Sequence, residues 1–290
     1  MKNLPMSGHT TFKVGGKADL MVYPGDAEEL GKVICMLKDE GLPFLMLGSG
    51  SNLLVSDEGL RGAVISLKEG FRNIEIADEL TIDCGAGLSL GVLVNFAAGH
   101  ALSGIEFLSG IPGTVGGALW MNAGAFGSEI KDVIASVSFA DSNGDLKNIG
   151  INDLPFSYRK LDVDPRCVVT GCRLVLEKGD ESIIREKIRS YATRRAESQP
   201  LGRATAGSVF KNPPGDFAGR LIEDAGMKGV HMGKAKVSEK HANFIENTGG
   251  ASARDIFELM RKVAAKVFES SGIQLEPEVK IVGEGLGPWQ

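Results

Sequence analysis

Between Glu106 and Glu129 the chain carries no charged residue, yet it places glycine at positions 110, 113, 116, 117, 124 and 127. A regular helix or strand would not hold so many, since each interior glycine costs roughly 0.5–1 kcal/mol relative to alanine. A solvent loop of that length would carry charge. The segment LSGIPGTVGGALWMNAGAFGSE (108–129) therefore reads as backbone wrapped around a large planar or phosphorylated ligand, with tight packing of an irregular segment as the alternative. Glycine is abundant throughout, at 39 of 290 residues, or about 13% against a usual ~7%. A second cluster, LGSGSNLL (47–54), follows a strand-like run and leaves its backbone N–H groups unobstructed. It suits either a diphosphate, through converging N–H dipoles, or a plain tight turn. A third, GAGLSLG (85–91), superficially fits a dinucleotide fingerprint. The fold that uses that fingerprint needs alternating βαβ units, and Glu106 is a poor ribose acid, so a structural turn is the simpler reading.

Helix signals are few and well marked. Asp26–Glu40 has an N-cap at Asp26, Glu29 three residues on, apolar Leu30, Val33, Ile34 and Leu37, and Gly41 as a stop. Ser89–Ala98 is closed by Gly99, Glu181–Ala196 carries Ile184, Ile188 and Tyr191 on one stripe, and Ser252–Ser270 carries Ile256, Met260, Val263 and Val267 at helical spacing. Strand-like runs cover 18–23, 44–47, 63–67, 73–76, 80–84, 136–140, 167–176, 242–247 and 278–282. The two element types do not alternate strictly, which predicts an α+β fold. A turn signal at Lys178–Asp180 predicts a larger N-terminal domain and a smaller C-terminal one.

Charge and cysteine content narrow the function. Lys plus Arg against Asp plus Glu gives 32 − 37 = −5, which argues against a nucleic-acid partner. No apolar run approaches the roughly 20 residues a bilayer needs, and the start lacks a signal peptide's apolar core. Cys35, Cys84, Cys167 and Cys172 are too sparse for a disulfide framework, so a cytoplasmic protein is expected. The sequence has no G-x-x-x-x-G-K-[ST], G-x-S-x-G or H-E-x-x-H motif, and its four histidines show no metal-site spacing. No metal is expected.

Eight segments in order resemble the UDP-N-acetylenolpyruvoylglucosamine reductases, flavoenzymes of bacterial peptidoglycan synthesis. They are HTTFKVGG (9–16), LGSGSNLLVSDEG (47–59), LSGIPGTVGGALWMNAGAFG (108–127), FSYRK (156–160), AGSVFKNP (206–213), AGRLIEDAG (218–226), KHANFIEN (240–247) and LEPEVKIVG (275–283). The resemblance implies an FAD-binding domain of the vanillyl-alcohol-oxidase/PCMH type at 1–178, with lobes of about 1–68 and 69–178. A smaller α+β domain at 185–290 would bind the nucleotide sugar. It also implies a monomer that reduces UDP-N-acetylglucosamine enolpyruvate with NADPH, by ping-pong hydride transfer to C3 and protonation of C2.

By the same resemblance, Gly48, Ser49, Gly50, Ser51, Asn52 and Leu53 clasp the FAD pyrophosphate. Ser109, Gly110, Gly113, Thr114, Gly116 and Gly117 line the flavin and its ribityl chain. The first loop has no histidine, so non-covalent FAD is expected. Ser208 matches the family's general acid, Arg159 the residue that stabilises the enolate oxygens, and Glu278 a group that helps hold the same carboxylate. Lys211, Asn212, His241 and Gln199 fall where the family contacts the diphosphate and sugar. One branch of the family closes a tyrosine loop over the substrate; the only tyrosines here are Tyr23, Tyr158 and Tyr191, as in a shorter branch without that loop. The alternatives are a flavin oxidase on the same scaffold and a non-catalytic flavin- or nucleotide-binding module.

Overall fold

The computed structural model describes residues 1–289. Its longer elements are, in chain order, β1 (Lys2–Pro5), β2 (Lys17–Val22), α1 (Ala27–Asp39), β3 (Phe44–Met46), β4 (Leu53–Val55), β5 (Leu60–Ile65), β6 (Ile74–Asp78) and β7 (Thr81–Gly85). There follow α2 (Leu90–Gly99), α3 (Val115–Trp120), β8 (Ile134–Ala140), β9 (Leu146–Gly150), β10 (Val168–Val175) and α4 (Glu181–Ser198). The chain ends with α5 (Ala218–Asp224), β11 (Ala235–Val237), β12 (Ile245–Asn247), α6 (Ala253–Ser271) and β13 (Lys280–Val282). The fold is α+β.

Packing divides the chain into two compact units. A central unit comprises Met21–Ser49 and Ala63–Arg194; a terminal unit comprises Met1–Leu20, Gly50–Gly62 and the residues from Arg195 onward. The sequence expectation divided the chain by ligand, near 178–185. Packing divides it by contact, and groups two N-terminal stretches with the C-terminal part.

The central unit is built on an antiparallel sheet of order β9-β8-β10-β7-β6. Strand β10, VVTGCRLV, is buried along most of its length because it has a neighbour on either side. Its Cys172 pairs in register with Cys84 of β7, and the two sulfurs lie 3.6 Å apart, both buried. Helix α1 starts as its sequence predicts: Asp26 Oδ1 accepts from Glu29 N–H at 2.8 Å, and Glu29 Oε2 accepts from Gly25 N–H at 2.7 Å. These contacts satisfy donors that the first helical turn cannot. Leu30, Ile34 and Leu37 form its buried face. Ser89 caps α2. The 85–91 segment before it is a turn whose amides are taken by backbone: Gly85 N–H donates to Asn73 O, and Gly87 N–H to Phe71 O. Helix α4 departs from its predicted stripe. Ile184 is its buried residue, while Ile188 and Tyr191 are half-buried, because its charges leave too little apolar surface for a packed face.

The terminal unit has one core. Helix α6 supplies Ile256, Phe257, Met260, Val263 and Val267, which pack with Phe12, Leu54, Val209, Phe210, Ile222 and Val237. Ser252 and Asp255 form a capping box at its start. The Asp57 carboxylate accepts from Ala253 and Arg254 N–H at 2.8 and 3.0 Å, a negative charge where the helix dipole favours one. Strands β11 and β12 run antiparallel. The parallel pair β4–β13 ties Leu53–Val55 to Lys280–Val282.

Thiol chemistry tests this packing. Cys84 and Cys172 are buried, whereas Cys35 and Cys167 are partly exposed. The Sγ contact with Cys84, then burial, hold the Cys172 thiol well above its ordinary pKa, so reactive thiolate is scarce there. In the native protein an aromatic disulfide reagent is expected to titrate Cys35 readily, Cys167 more slowly because burial raises its thiol pKa, and the buried pair only after denaturation. Rapid native reaction at Cys84 or Cys172 contradicts the packing of β7 on β10.

Candidate active site

The central unit brings two glycine loops together. A Cβ at Gly48 would lie 2.7 Å from Thr114 Oγ1, closer than real atoms approach, so glycine is needed for the two backbones to lie side by side. The 108–117 segment is anchored on α2 and its preceding turn: Leu90 N–H donates to Gly113 O, Val115 N–H to Leu88 O and Gly116 N–H to Ala86 O. Thr114 then caps α3 through Gly117 N–H. Ser109 and Thr114 are buried.

In contrast, the N–H groups of Gly48, Ser49 and Gly50 donate to no group of the described residues. Gly50 is buried and sits in the left-handed region at φ 64°, where a Cβ would meet His9 O at 2.0 Å. Adjacent unbonded N–H groups beside a left-handed residue fit an anion, as a phosphate does at a backbone nest. With no carboxylate from Leu47 to Leu54, the loop fits the diphosphate of FAD. Next along, Asn52 Nδ2 donates to Glu278 O at 3.0 Å, and Lys280 N–H donates to Asn52 O. This joins the end of the loop to the backbone at Glu278 within the terminal unit.

Arg159 belongs to the central unit. It occupies the tip of a hairpin pairing Phe156–Ser157 with Lys160–Leu161, at φ 57°. Its Nη2 donates to Gly124 O at 3.3 Å, and its guanidinium lies 5.1 Å from the Tyr158 ring centre. Ser208 and Glu278 belong to the terminal unit. Glu278 N–H donates to Val209 O at 2.9 Å, so Glu278 is bonded to the residue that follows Ser208.

The same unit carries the four residues expected to contact the nucleotide sugar. Lys211 Nζ donates to Glu276 Oε2 at 3.3 Å, and its own N–H to Glu276 O. Asn212 Oδ1 accepts from Ala218 N–H at the start of α5. Gln199 follows α4, bonded through its N–H to Arg195 O. His241 Nδ1 accepts from Asn243 N–H at 3.2 Å, which puts the proton of the neutral ring on Nε2. Burial, with Lys228 nearby, holds the His241 pKa below its ordinary value.

The glycine loops match a family model described as an FAD binding domain, over residues 18–150. Ser208, Lys211, Asn212, His241 and Glu278 fall within a second match, over residues 199–282, to the C-terminal domain of UDP-N-acetylenolpyruvoylglucosamine reductase. A protein of that name from Caldanaerobacter subterraneus subsp. tengcongensis is 47% identical over 97% of this chain and 93% of its own length. One from Clostridioides difficile is 44% identical, over 97% and 92%. The chain belongs to the UDP-N-acetylenolpyruvoylglucosamine reductase family. The crystal structure of the Thermus caldophilus reductase superposes with a TM-score of 0.83 at 38% identity, over 96% of this chain and 97% of that one. The protein is thus an oxidoreductase with an FAD-binding domain. Arg159 lies between the two matched ranges.

Two buried asparagines fix backbone in this reductase; Asn243 escaped the sequence reading, and Asn122 entered it only as a member of the charge-free 108–129 segment. Asn243 Oδ1 accepts from Phe210 N–H at 3.0 Å while its Nδ2 donates to Phe210 O at 2.8 Å, fixing the backbone that carries Ser208 and Lys211. Asn122, fully buried, bonds to Ser157 O and Glu129 Oε2. The only sequence signal was an amide side chain inside an uncharged or apolar run. Among the described residues no cluster of His, Cys, Asp and Glu could hold a metal ion, and no helix is long and apolar enough to cross a membrane.

The depressed His241 pKa predicts a pH dependence of stability. The unfolded chain protonates this ring near 6.5 and the folded chain only at lower pH, so stability falls as pH drops below about 6.5. The lowered carboxylates act further down, below about 4; Asp164, held to about 2 by Arg166, is one of them. Chemical denaturation at pH 7.5 and 5.5 should show the loss in the native chain and a smaller one in His241→Gln. Equal losses in both would show that His241 is not the group responsible.

Proposed function

We propose that the protein converts UDP-N-acetylglucosamine enolpyruvate to UDP-N-acetylmuramate with NADPH, as a monomeric cytoplasmic enzyme of peptidoglycan synthesis. Residues 1–178 hold FAD and 185–290 the nucleotide sugar. The N–H groups of Gly48, Ser49 and Gly50, with Ser51, Asn52 and Leu53, clasp the pyrophosphate. Ser109, Gly110, Gly113, Thr114, Gly116 and Gly117 line the flavin. No histidine in the first loop offers an attachment point, so FAD is held without a covalent bond. When bound, FAD supplies hydride transfer from NADPH to the enolpyruvyl C3 in separate half-reactions, a ping-pong order.

The chain's own residues manage charge and proton. Hydride arrival at C3 leaves negative charge on C2 and its carboxylate. The Arg159 guanidinium stabilises those oxygens. Ser208 donates its hydroxyl proton to C2; a serine is a weak acid, but an enolate carbon is basic enough to take the proton. Glu278 helps hold the same carboxylate, which requires that it carry a proton or share a donor, since two carboxylates repel. Lys211 supplies positive charge to the diphosphate, and Asn212, Gln199 and the Nε2–H of a neutral His241 supply hydrogen bonds.

The observation that carries this reading is the bond from Glu278 N–H to Val209 O, which holds Glu278 next to the Ser208 segment in a chain of this family. Stopped-flow of the two half-reactions tests it. Ser208→Ala should slow reoxidation of the reduced protein by the enolpyruvyl substrate by about 10²–10⁴, with reduction by NADPH unchanged. Ser208→Cys should retain more activity, because a thiol still donates. Full turnover by Ser208→Ala removes the serine from proton transfer.

A further inference from the structure

Asn122 is a fully buried amide in a charge-free segment, at φ 40°. Both of its donors are used. Nδ2 gives one hydrogen bond to Ser157 O at 3.0 Å and one to Glu129 Oε2 at 2.9 Å, while Oδ1 accepts from Lys131 N–H at 3.3 Å. The partners sit on two hairpins of the central unit. One pairs Gly124–Ala125 with Ser128–Glu129 across Phe126 and Gly127, both at positive φ. The other pairs Phe156–Ser157 with Lys160–Leu161 across Tyr158 and Arg159. A single side chain therefore ties the bases of both hairpins.

Arg159 depends on both. Its backbone stands in the left-handed region, which a non-glycine residue keeps only where its surroundings impose it. The first hairpin supplies Gly124 O, which accepts from the Arg159 guanidinium; the second carries Arg159 itself, two residues beyond Ser157. Lys131 Nζ shares Glu129 Oε2 at 2.9 Å, so that carboxylate is pinned from two directions. A long arginine side chain loses rotamer freedom when ordered, and a guanidinium that must meet developing charge works best when that loss precedes the reaction.

We propose that Asn122 is the positioning residue for Arg159, clamping the two hairpins so that the guanidinium is already placed when charge develops on the substrate carboxylate. The inference rests on the role given to Arg159 above. Asn122→Gly is the direct variant, because glycine tolerates φ 40° and removes all three hydrogen bonds. Asn122→Asp also tolerates that φ and keeps an acceptor for Lys131 N–H, but cannot donate to Ser157 O when ionised; it keeps the test open if the glycine variant does not fold.

In either variant, reoxidation by the enolpyruvyl substrate should slow about 10- to 100-fold, with reduction by NADPH changed less than about twofold. In an Arg159→Ala background the same substitutions should add less than about a threefold further loss. Calorimetry gives a readout apart from turnover. The ratio of affinities for UDP-N-acetylmuramate and UDP-N-acetylglucosamine, which lacks the lactyl carboxylate, should fall in Asn122→Gly as it does in Arg159→Ala. Equal slowing of both half-reactions, or an undiminished further loss without Arg159, overturns the proposal and leaves Asn122 a residue of the general fold. If Arg159→Ala alone reoxidises at the native rate, the reading beneath it falls, and the clamp loses its role with it.

Discussion

The approach of Gly48 to Thr114 is the constraint on which the proposed cofactor half of the site depends. Two irregular backbones can lie side by side only where no Cβ stands between them. That requirement accounts for glycine at 48, and a like one for glycine at 116, where a Cβ would meet that of Ala86 at 2.9 Å. Once the loops meet, their hydrogen-bonding roles separate. The second loop is bonded into α2 and its turn. The first leaves adjacent N–H groups without a partner among the described residues, that of Gly50 in a buried residue, and a buried donor is costly unless something accepts from it. An anionic cofactor group is such an acceptor, and the local lack of carboxylates favours it.

The polar residues around the chemistry follow a different rule. Asn243 and Asn122 are buried amides whose Nδ2 and Oδ1 atoms are both bonded to backbone or a neighbouring carboxylate. Each fixes the backbone of a segment that carries a proposed reacting group. A buried amide is costly unless satisfied, so it specifies one backbone arrangement where an apolar residue would tolerate several. Asn52 extends the pattern, since its side chain holds the backbone at Glu278 while its own loop continues toward the glycines. The residues proposed to react are thus held from behind by groups that need never touch substrate.

How much of this was legible in the sequence depended on whether the determining contact was local. Asp26 with Glu29, Ser89, and Ser252 with Asp255 announce α1, α2 and α6 because a cap and its partner lie within one turn. Helix α3 escaped notice: its sequence VGGALW has two glycines in its first turn, and it persists through the Thr114 cap and its packing. Helix α5 is short and lacks a side-chain cap. Strand β4 was missed because its parallel partner β13 lies at the far end of the chain. The candidate site residues were named by matching motifs, not by physics, since a serine, an arginine or a glutamate alone carries no signal. Asn243 has its partner Phe210 33 residues away, and Asn122 reaches Ser157 35 residues away, so the backbone each one fixes is not marked locally in the sequence.

Visible spectroscopy under anaerobic conditions tests the central claim most directly. The purified protein, loaded with FAD, should show a flavin band that bleaches on adding NADPH and returns on adding UDP-N-acetylglucosamine enolpyruvate. A band that returns only when air is admitted would contradict the reductase and indicate an oxidase. Failure to acquire a band with added FAD would contradict the reading of the glycine loops.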